Sequence, residues 1–221
     1  MKTQEMLHHV DHTLLAPTAT WQEIEKLCKE AVQFSTASVC IPPCYISRVK
    51  QAFGDQLTIC TVIGFPLGYS VTSAKVAETQ QAIADGAKEI DMVINISDLK
   101  NHDYKKVQEE IEAIRTAAQG DILKVIIETC YLTEEEKIEM CRAVTAARAD
   151  YIKTSTGFGT AGATLADIRL FREHIGTNVK IKAAGGIRSI ADMEAFLEAG
   201  ADRLGTSSAI KLIEGNAVSG Y

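Results

Sequence analysis

The sequence predicts a single (β/α)8 barrel. Short β-type runs alternate with longer amphipathic ones about eight times from end to end, the pattern of a parallel α/β protein. No Pro/Gly/Ser-rich linker divides the series, so residues 1–221 read as one barrel domain with a short tail of small residues at about 215–221. The first strand is not followed by the G-x-G-x-x-G turn that a doubly wound dinucleotide-binding sheet places there. A barrel needs eight strands and at least ~200 residues, which the 221 present satisfy with little room for insertions.

Taken in order, strands are expected at Val10–Leu14, Ser38–Ile41, Leu57–Ile63, Glu89–Asn95, Leu123–Thr129, Tyr151–Ser155, Val179–Ala183 and Arg203–Gly205. The helix after the first strand is W-Q-E-I-E-K-L-C-K-E-A-V, with Ile24, Leu27, Cys28 and Ala31 at the i, i+3, i+4, i+7 spacing of one apolar face. Further helices are expected at about Ser73–Ala84, Tyr104–Ala118, Glu134–Ala147, Leu165–Glu173 and Ala191–Glu198. Thr133 before three glutamates and Ser189 before I-A-D-M-E are start signals, and Gly86 and Gly200 stand where helices must stop.

Composition excludes several classes of function. Hydrophobic residues make up 46% and charged residues 24%, the balance of a globular enzyme. A net charge of −6 gives no electrostatic support to a nucleic-acid partner. No apolar run reaches the ~20 residues of a membrane span, and the first residues lack a signal-peptide core. Six scattered cysteines without a C-x-x-C pair read as reduced thiols of a cytoplasmic protein. His8, His9 and His12 match no standard ligand spacing, so no metal and no other cofactor is expected.

Strand alternation sorts side chains between the helix layer and the barrel interior. In E-I-D-M-V-I-N, Ile90, Met92 and Ile94 form the apolar face, which sends Asp91 inward. The same rule sends Lys124, Glu128, Lys153, Lys182 and Cys40 inward. A buried charge costs several kcal/mol unless paired, so several on one face indicate a site. Lys153 and Lys182 lie on candidate strands six and seven, just before glycine-containing loops, at the end where such barrels keep their active sites. Two ammonium groups ~5 Å apart repel by about 3 kcal/mol at an effective dielectric of ~20. That equals roughly two pKa units, enough to raise the neutral fraction of a lysine at pH 7 about a hundredfold. A neutral amine attacks carbonyls and forms a Schiff base without any metal. Asp91 is the inward carboxylate suited to move protons, with Glu128 as competitor.

The last two strands lead into A-A-G-G-I-R-S, with Gly185, Gly186 and Arg188, and L-G-T-S-S, with Gly205, Ser207 and Ser208. Loops after strands seven and eight commonly hold phosphate in barrels, and Gly157 and Gly159 add a third edge. These residues point to a phosphorylated small carbonyl compound above a reactive lysine. Another Schiff-base barrel aldolase, a phosphosugar isomerase and a non-catalytic phosphosugar-binding barrel remain the alternatives.

The chain resembles the deoxyribose-phosphate aldolases along nearly its whole length. The likeness rests on D-H-T-L-L, V-C-I-P-P, E-I-D-M-V-I-N, L-K-V-I-I-E-T, Y-I-K-T-S-T-G-F, K-A-A-G-G-I-R and L-G-T-S-S. The resemblance implies a (β/α)8 barrel and a class I lyase that reversibly cleaves 2-deoxy-D-ribose 5-phosphate to D-glyceraldehyde 3-phosphate and acetaldehyde. It makes Lys153 the Schiff-base nucleophile, Lys182 the second lysine and Asp91 the proton donor and acceptor. It places Asp11 and Thr13 near the substrate in support, and phosphate around Gly185, Gly186, Gly205, Ser207 and Ser208. It also implies a homodimer. Where some members carry lysine after K-T-S-T-G, this chain has Phe158, and Arg188 compensates only in part. The C-terminal Tyr221 matches a tyrosine that in some members reaches the active site. Cys40 and Cys44 are candidate targets of reactive aldehydes.

Overall fold

The computed structural model describes residues 3–215. Eight strands are found among them: β1 (Val10–Thr13), β2 (Ser38–Ile41), β3 (Ile59–Ile63), β4 (Glu89–Val93), β5 (Ile122–Ile126), β6 (Tyr151–Lys153), β7 (Lys180–Ala184) and β8 (Arg203–Thr206). Each pairs in parallel with its successor, and β8 returns to β1 with Val10 opposite Leu204, closing the barrel. Helices α1 (Thr3–Met6), α2 (Trp21–Phe34), α3 (Ile46–Phe53), α4 (Thr72–Asp85), α5 (Ile96–Lys100), α6 (Tyr104–Ala117), α7 (Glu134–Ala146), α8 (Leu165–His174), α9 (Ile190–Glu198) and α10 (Ala209–Ile213) complete the fold. This is the (β/α)8 barrel that the alternation predicts.

Local chemistry sets the helix ends. Thr20 and Thr133 each accept a hydrogen bond from the backbone of the third helical residue while Glu23 and Glu136 reach back, forming reciprocal caps. Ser189 caps α9 through the Asp192 N–H. Gly86 ends α4 at φ 115°, a backbone shape that a Cβ opposes.

The larger core lies between barrel and helices. Ile90, Met92, Val125, Ile152 and Ile181 from the strands meet Ile24, Val107, Ile111 and Phe171 from the helices. Full burial of each such side chain contributes about 1.5–3 kcal/mol. The barrel interior differs: Cys40, Cys60 and Val62 form a small apolar cluster under Leu15 and Phe65, and most of the rest is charge. Outside the barrel, the fully buried Lys75 of α4 bonds Glu110 of α6 at 2.8 Å and the Val93 carbonyl at 2.8 Å. The other Glu110 oxygen accepts the Asn95 N–H at 2.9 Å, so this pair clamps the end of β4.

Several expected strands end sooner than the sequence suggests. Beyond Val93, Ile126 and Lys153 the chain still makes cross-strand bonds, such as Ile127 N–H to the Lys153 carbonyl and Thr129 N–H to that of Thr154. The pleat breaks between those two because Glu128 is left-handed, with φ 53° and ψ 67°. The short helices α3, α5 and α10 have too few turns for a periodic signal, and α3 starts without a capping side chain. The tail from residue 216 on, with Tyr221, lies outside the described residues.

Candidate active site

Register brings the inward residues together. Lys153 stands opposite Lys182 on β6 and β7, and Asp91 opposite Lys124 on β4 and β5. One oxygen of Asp91 accepts from Lys153 Nζ at 2.7 Å and from Lys182 Nζ at 2.6 Å. Its second oxygen accepts from Lys124 Nζ at 2.9 Å and from the Cys60 thiol at 3.2 Å. Lys153 and Lys182 share an oxygen and so lie within about 5 Å of each other, given ordinary hydrogen-bond lengths. The picture of two bare repelling cations needs correction, because a carboxylate sits between them.

Below this centre Asp11 binds Lys182, Arg203 and the Ser38 hydroxyl, and Glu89 binds Lys124 and Arg203. Arg203 also lies 5.5 Å from the Tyr151 ring centroid. Burial by itself would push the Asp11 and Asp91 carboxyls up. The surrounding cations outweigh it and hold both well below the usual carboxylate range: Lys124, Lys182 and Arg203 at Asp11, and Lys124, Lys153 and Lys182 at Asp91. Burial would likewise pull Lys182 and Lys124 down, but Asp11 and Asp91 outweigh it and raise both. Three carboxylates therefore face four cations in one connected network. Of these cations Lys153 has the fewest acidic partners, bonding Asp91 alone among them.

Above the network opens a cavity of about 260 Å³. Among the described residues, Lys153 is the one member of the network that lines it. Thr13, Gly157, Arg188 and Ser207 line it too, as do Gly185, Gly186, Gly205 and Ser208. Gly185 and Gly186 both have positive φ, 73° and 76°, which only glycine adopts without strain. Asp11 does not line the cavity: it is fully buried and bonds Lys182, Arg203 and the Ser38 hydroxyl. Lys182, Asp91 and Cys40 also lie below the lining, whereas Cys44 is exposed. Phe158 forms part of the rim, half-exposed, with its ring edge-on to Phe65 at 5.3 Å.

Sequence reasoning did not single out Glu89, Arg203 or Cys60. Glu89 was legible, since it shares the inward face of β4 with Asp91 by alternation. Glu128 accepts from the backbone N–H and the hydroxyl of Thr156. Among the described residues two groups of potential metal ligands occur, Cys40–Cys60–Asp91 and Asp11–Cys60–Glu89. In both, the carboxylates already face lysine or arginine, so the chain itself supplies the positive charge there. No helix of the described residues is long and apolar enough to cross a membrane.

Fold and site together define a barrel aldolase, a carbon–carbon lyase of class I. The chain belongs to the DeoC/LacD family of aldolases, whose model matches residues 5–216. It is 64% identical to the deoxyribose-phosphate aldolase of Clostridium botulinum (strain Alaska E43 / Type E3) over 221 residues, covering all of both chains. It is 56% identical to that of Clostridioides difficile (strain 630), over 99% of this chain and all of that one. The tetrameric deoxyribose phosphate aldolase of Aeropyrum pernix superposes with a TM-score of 0.90 at 31% identity, over 96% of this chain and 91% of that one.

Proposed function

We propose that the chain reversibly cleaves 2-deoxy-D-ribose 5-phosphate to D-glyceraldehyde 3-phosphate and acetaldehyde, with Lys153 as the covalent nucleophile. The observation that carries this is the placement of Lys153: its amine joins the buried charge network at Asp91 and is the network's contact with the cavity. The reaction begins with loss of a proton from Lys153 to give the free amine. The neutral amine then adds to the C1 carbonyl of the open-chain sugar, and loss of water leaves an iminium. Removal of the C3 hydroxyl proton breaks the C2–C3 bond, and the electron pair enters the iminium to give an enamine. D-Glyceraldehyde 3-phosphate leaves. Protonation at C2 and addition of water then release acetaldehyde and restore the amine.

In this scheme Lys182, kept protonated by Asp11 and Asp91, supplies the fixed cation beside the amine. Asp91, kept ionised by its lysines, relays the protons. The phosphate rests against the backbone of Gly185, Gly186 and Gly205 and the hydroxyls of Ser207 and Ser208, with Thr13 and Gly157 completing the walls and Arg188 at the rim. Six free thiols support a cytoplasmic setting. A homodimer is the assembly we infer, to be checked by sedimentation equilibrium.

Intact-mass measurement after adding deoxyribose 5-phosphate and borohydride tests the scheme. A reduced adduct on Lys153 that Lys153→Ala lacks is the expected result. A folded, active protein without any adduct would overturn the covalent route, and an adduct on Lys182 would exchange the roles of the two lysines.

A further inference from the structure

Glu128 has no part in the scheme above, yet its surroundings are built. It is a buried, non-glycine residue in the left-handed region, a conformation that persists only where neighbours enforce it. Its carboxylate accepts from Thr156 N–H, at 3.2 and 3.3 Å to its two oxygens, and from the Thr156 hydroxyl. That hydroxyl in turn accepts the Phe158 N–H at 3.0 Å. Gly159 closes the wrap: a Cβ there would stand 3.1 Å from the Glu128 carboxyl carbon and 2.9 Å from the Cys130 sulfur. The turn from Thr156 to Gly159, which leaves β6 three residues after Lys153 and lines the cavity, is thus folded around one carboxylate.

We propose that Glu128 is a positioning residue that shapes this turn for substrate capture while leaving the amine chemistry to Lys153 and Asp91. The left-handed backbone at Glu128 breaks the β5 pleat and turns the side chain toward Thr156, where an extended continuation would have kept it in the strand's alternation. The turn it holds is coupled to the opposite wall. Gly162, on the same loop, packs backbone to backbone against Gly185, and Ala163 N–H bonds the Ala184 carbonyl at 3.0 Å. Loosening Thr156 therefore loosens both glycine walls around the phosphate. Burial raises the Glu128 carboxyl above its ordinary value, and the Thr156 bonds and the Lys153 charge oppose that only in part. The groups facing it are Lys153 on β6, Thr156 in the turn and Cys130 after β5.

The inference rests on Lys153 as the reactive amine, and the test separates the two. Steady-state kinetics with deoxyribose 5-phosphate are measured for Glu128→Ala, Glu128→Gln, Thr156→Val and the Glu128→Ala/Thr156→Val double variant, with borohydride trapping at saturating substrate. The expected result is a KM raised about tenfold or more in Glu128→Ala, a kcat within about threefold, an intact Lys153 adduct and Glu128→Gln close to wild type, since the amide still accepts a hydrogen bond. The double variant should fall short of the sum of the two single ones, because both remove the bond between the Thr156 hydroxyl and the Glu128 carboxylate. A kcat loss at unchanged KM would place Glu128 in the chemistry and overturn the inference, as would wild-type parameters or additive losses in the double variant. Absence of a Lys153 adduct in the wild type would refute the amine assignment instead. Should Glu128→Ala fail to fold, Thr156→Val carries the same KM-against-kcat readout.

Discussion

Asp91→Asn keeps the shape of the side chain and removes one negative charge from the centre of the barrel. Two carboxylates, Asp11 and Glu89, would then face Lys124, Lys153, Lys182 and Arg203. One additional lysine must either stay charged without a partner or release its proton. Releasing it at pH 7 from an ordinary value near 10.4 costs about 4.6 kcal/mol, which caps the penalty. Breaking a buried ion pair from one side costs about 3–5 kcal/mol, in agreement with that cap. For a chain of this length the loss lowers Tm by roughly 6–20 °C. With the proton released, the folded variant binds one proton fewer than its unfolded chain, so its stability rises with pH relative to wild type. The penalty should shrink by about 1.4 kcal/mol per pH unit between pH 7 and about 9. Urea unfolding of both proteins at pH 7, 8 and 9 measures it. A variant within about 1 kcal/mol of wild type at pH 7, or a penalty independent of pH, would refute the view that lysine charge is held in place by Asp91.

Two further outcomes follow from packing. A Cβ at Gly162 would lie 2.3 Å from the Gly185 carbonyl carbon, backbone on which no rotamer can yield, so Gly162→Ala must part the two glycine walls. It should raise KM for deoxyribose 5-phosphate about tenfold while changing KM for unphosphorylated deoxyribose little, and equal changes for both sugars would count against the phosphate assignment. Lys75→Met leaves Glu110 buried without its cation and should cost about 3–5 kcal/mol in urea unfolding. Adding Glu110→Leu should recover part of that but not all, since the Val93 carbonyl and Asn95 N–H stay unpaired at about 1–3 kcal/mol each. Full recovery would show that the clamp does not serve those backbone groups.

The barrel was legible because parallel strands bury both faces and helices keep one apolar stripe, so Ile24, Leu27, Cys28 and Ala31 or Ile90 and Met92 declare their sides. Alternation also put Asp91, Lys124, Lys153 and Lys182 on one face, and all four are buried in contact there. What alternation cannot give is depth along the barrel axis. Asp11 and Thr13 share the inward face of β1, yet one supports the lysines from below and the other lines the cavity. Glu128 followed the inward pattern up to the residue itself, but its left-handed backbone is a tertiary outcome that no neighbour in sequence announces. Arg203 opens the last strand, and its partners Asp11 and Glu89 lie far off in the chain.

The seam between β1 and β8 has a consequence for how the chain comes to life. Asp11 is separated by 171 residues from Lys182 and by 192 from Arg203, two of the three cations, with Lys124, that hold it ionised. Until the last strand docks on the first, Lys182 lacks one of its two carboxylates and Arg203 one of its own. Closing so long a loop costs only slightly more than closing one half as long, so the delay lies in waiting for the final strand and not in the entropy of the ring. A chain that stops before β8 therefore carries Lys153, Lys182 and Asp91 but lacks Arg203, the cation that Asp11 and Glu89 share. Recovery of activity during refolding becomes a clock for the last step of assembly.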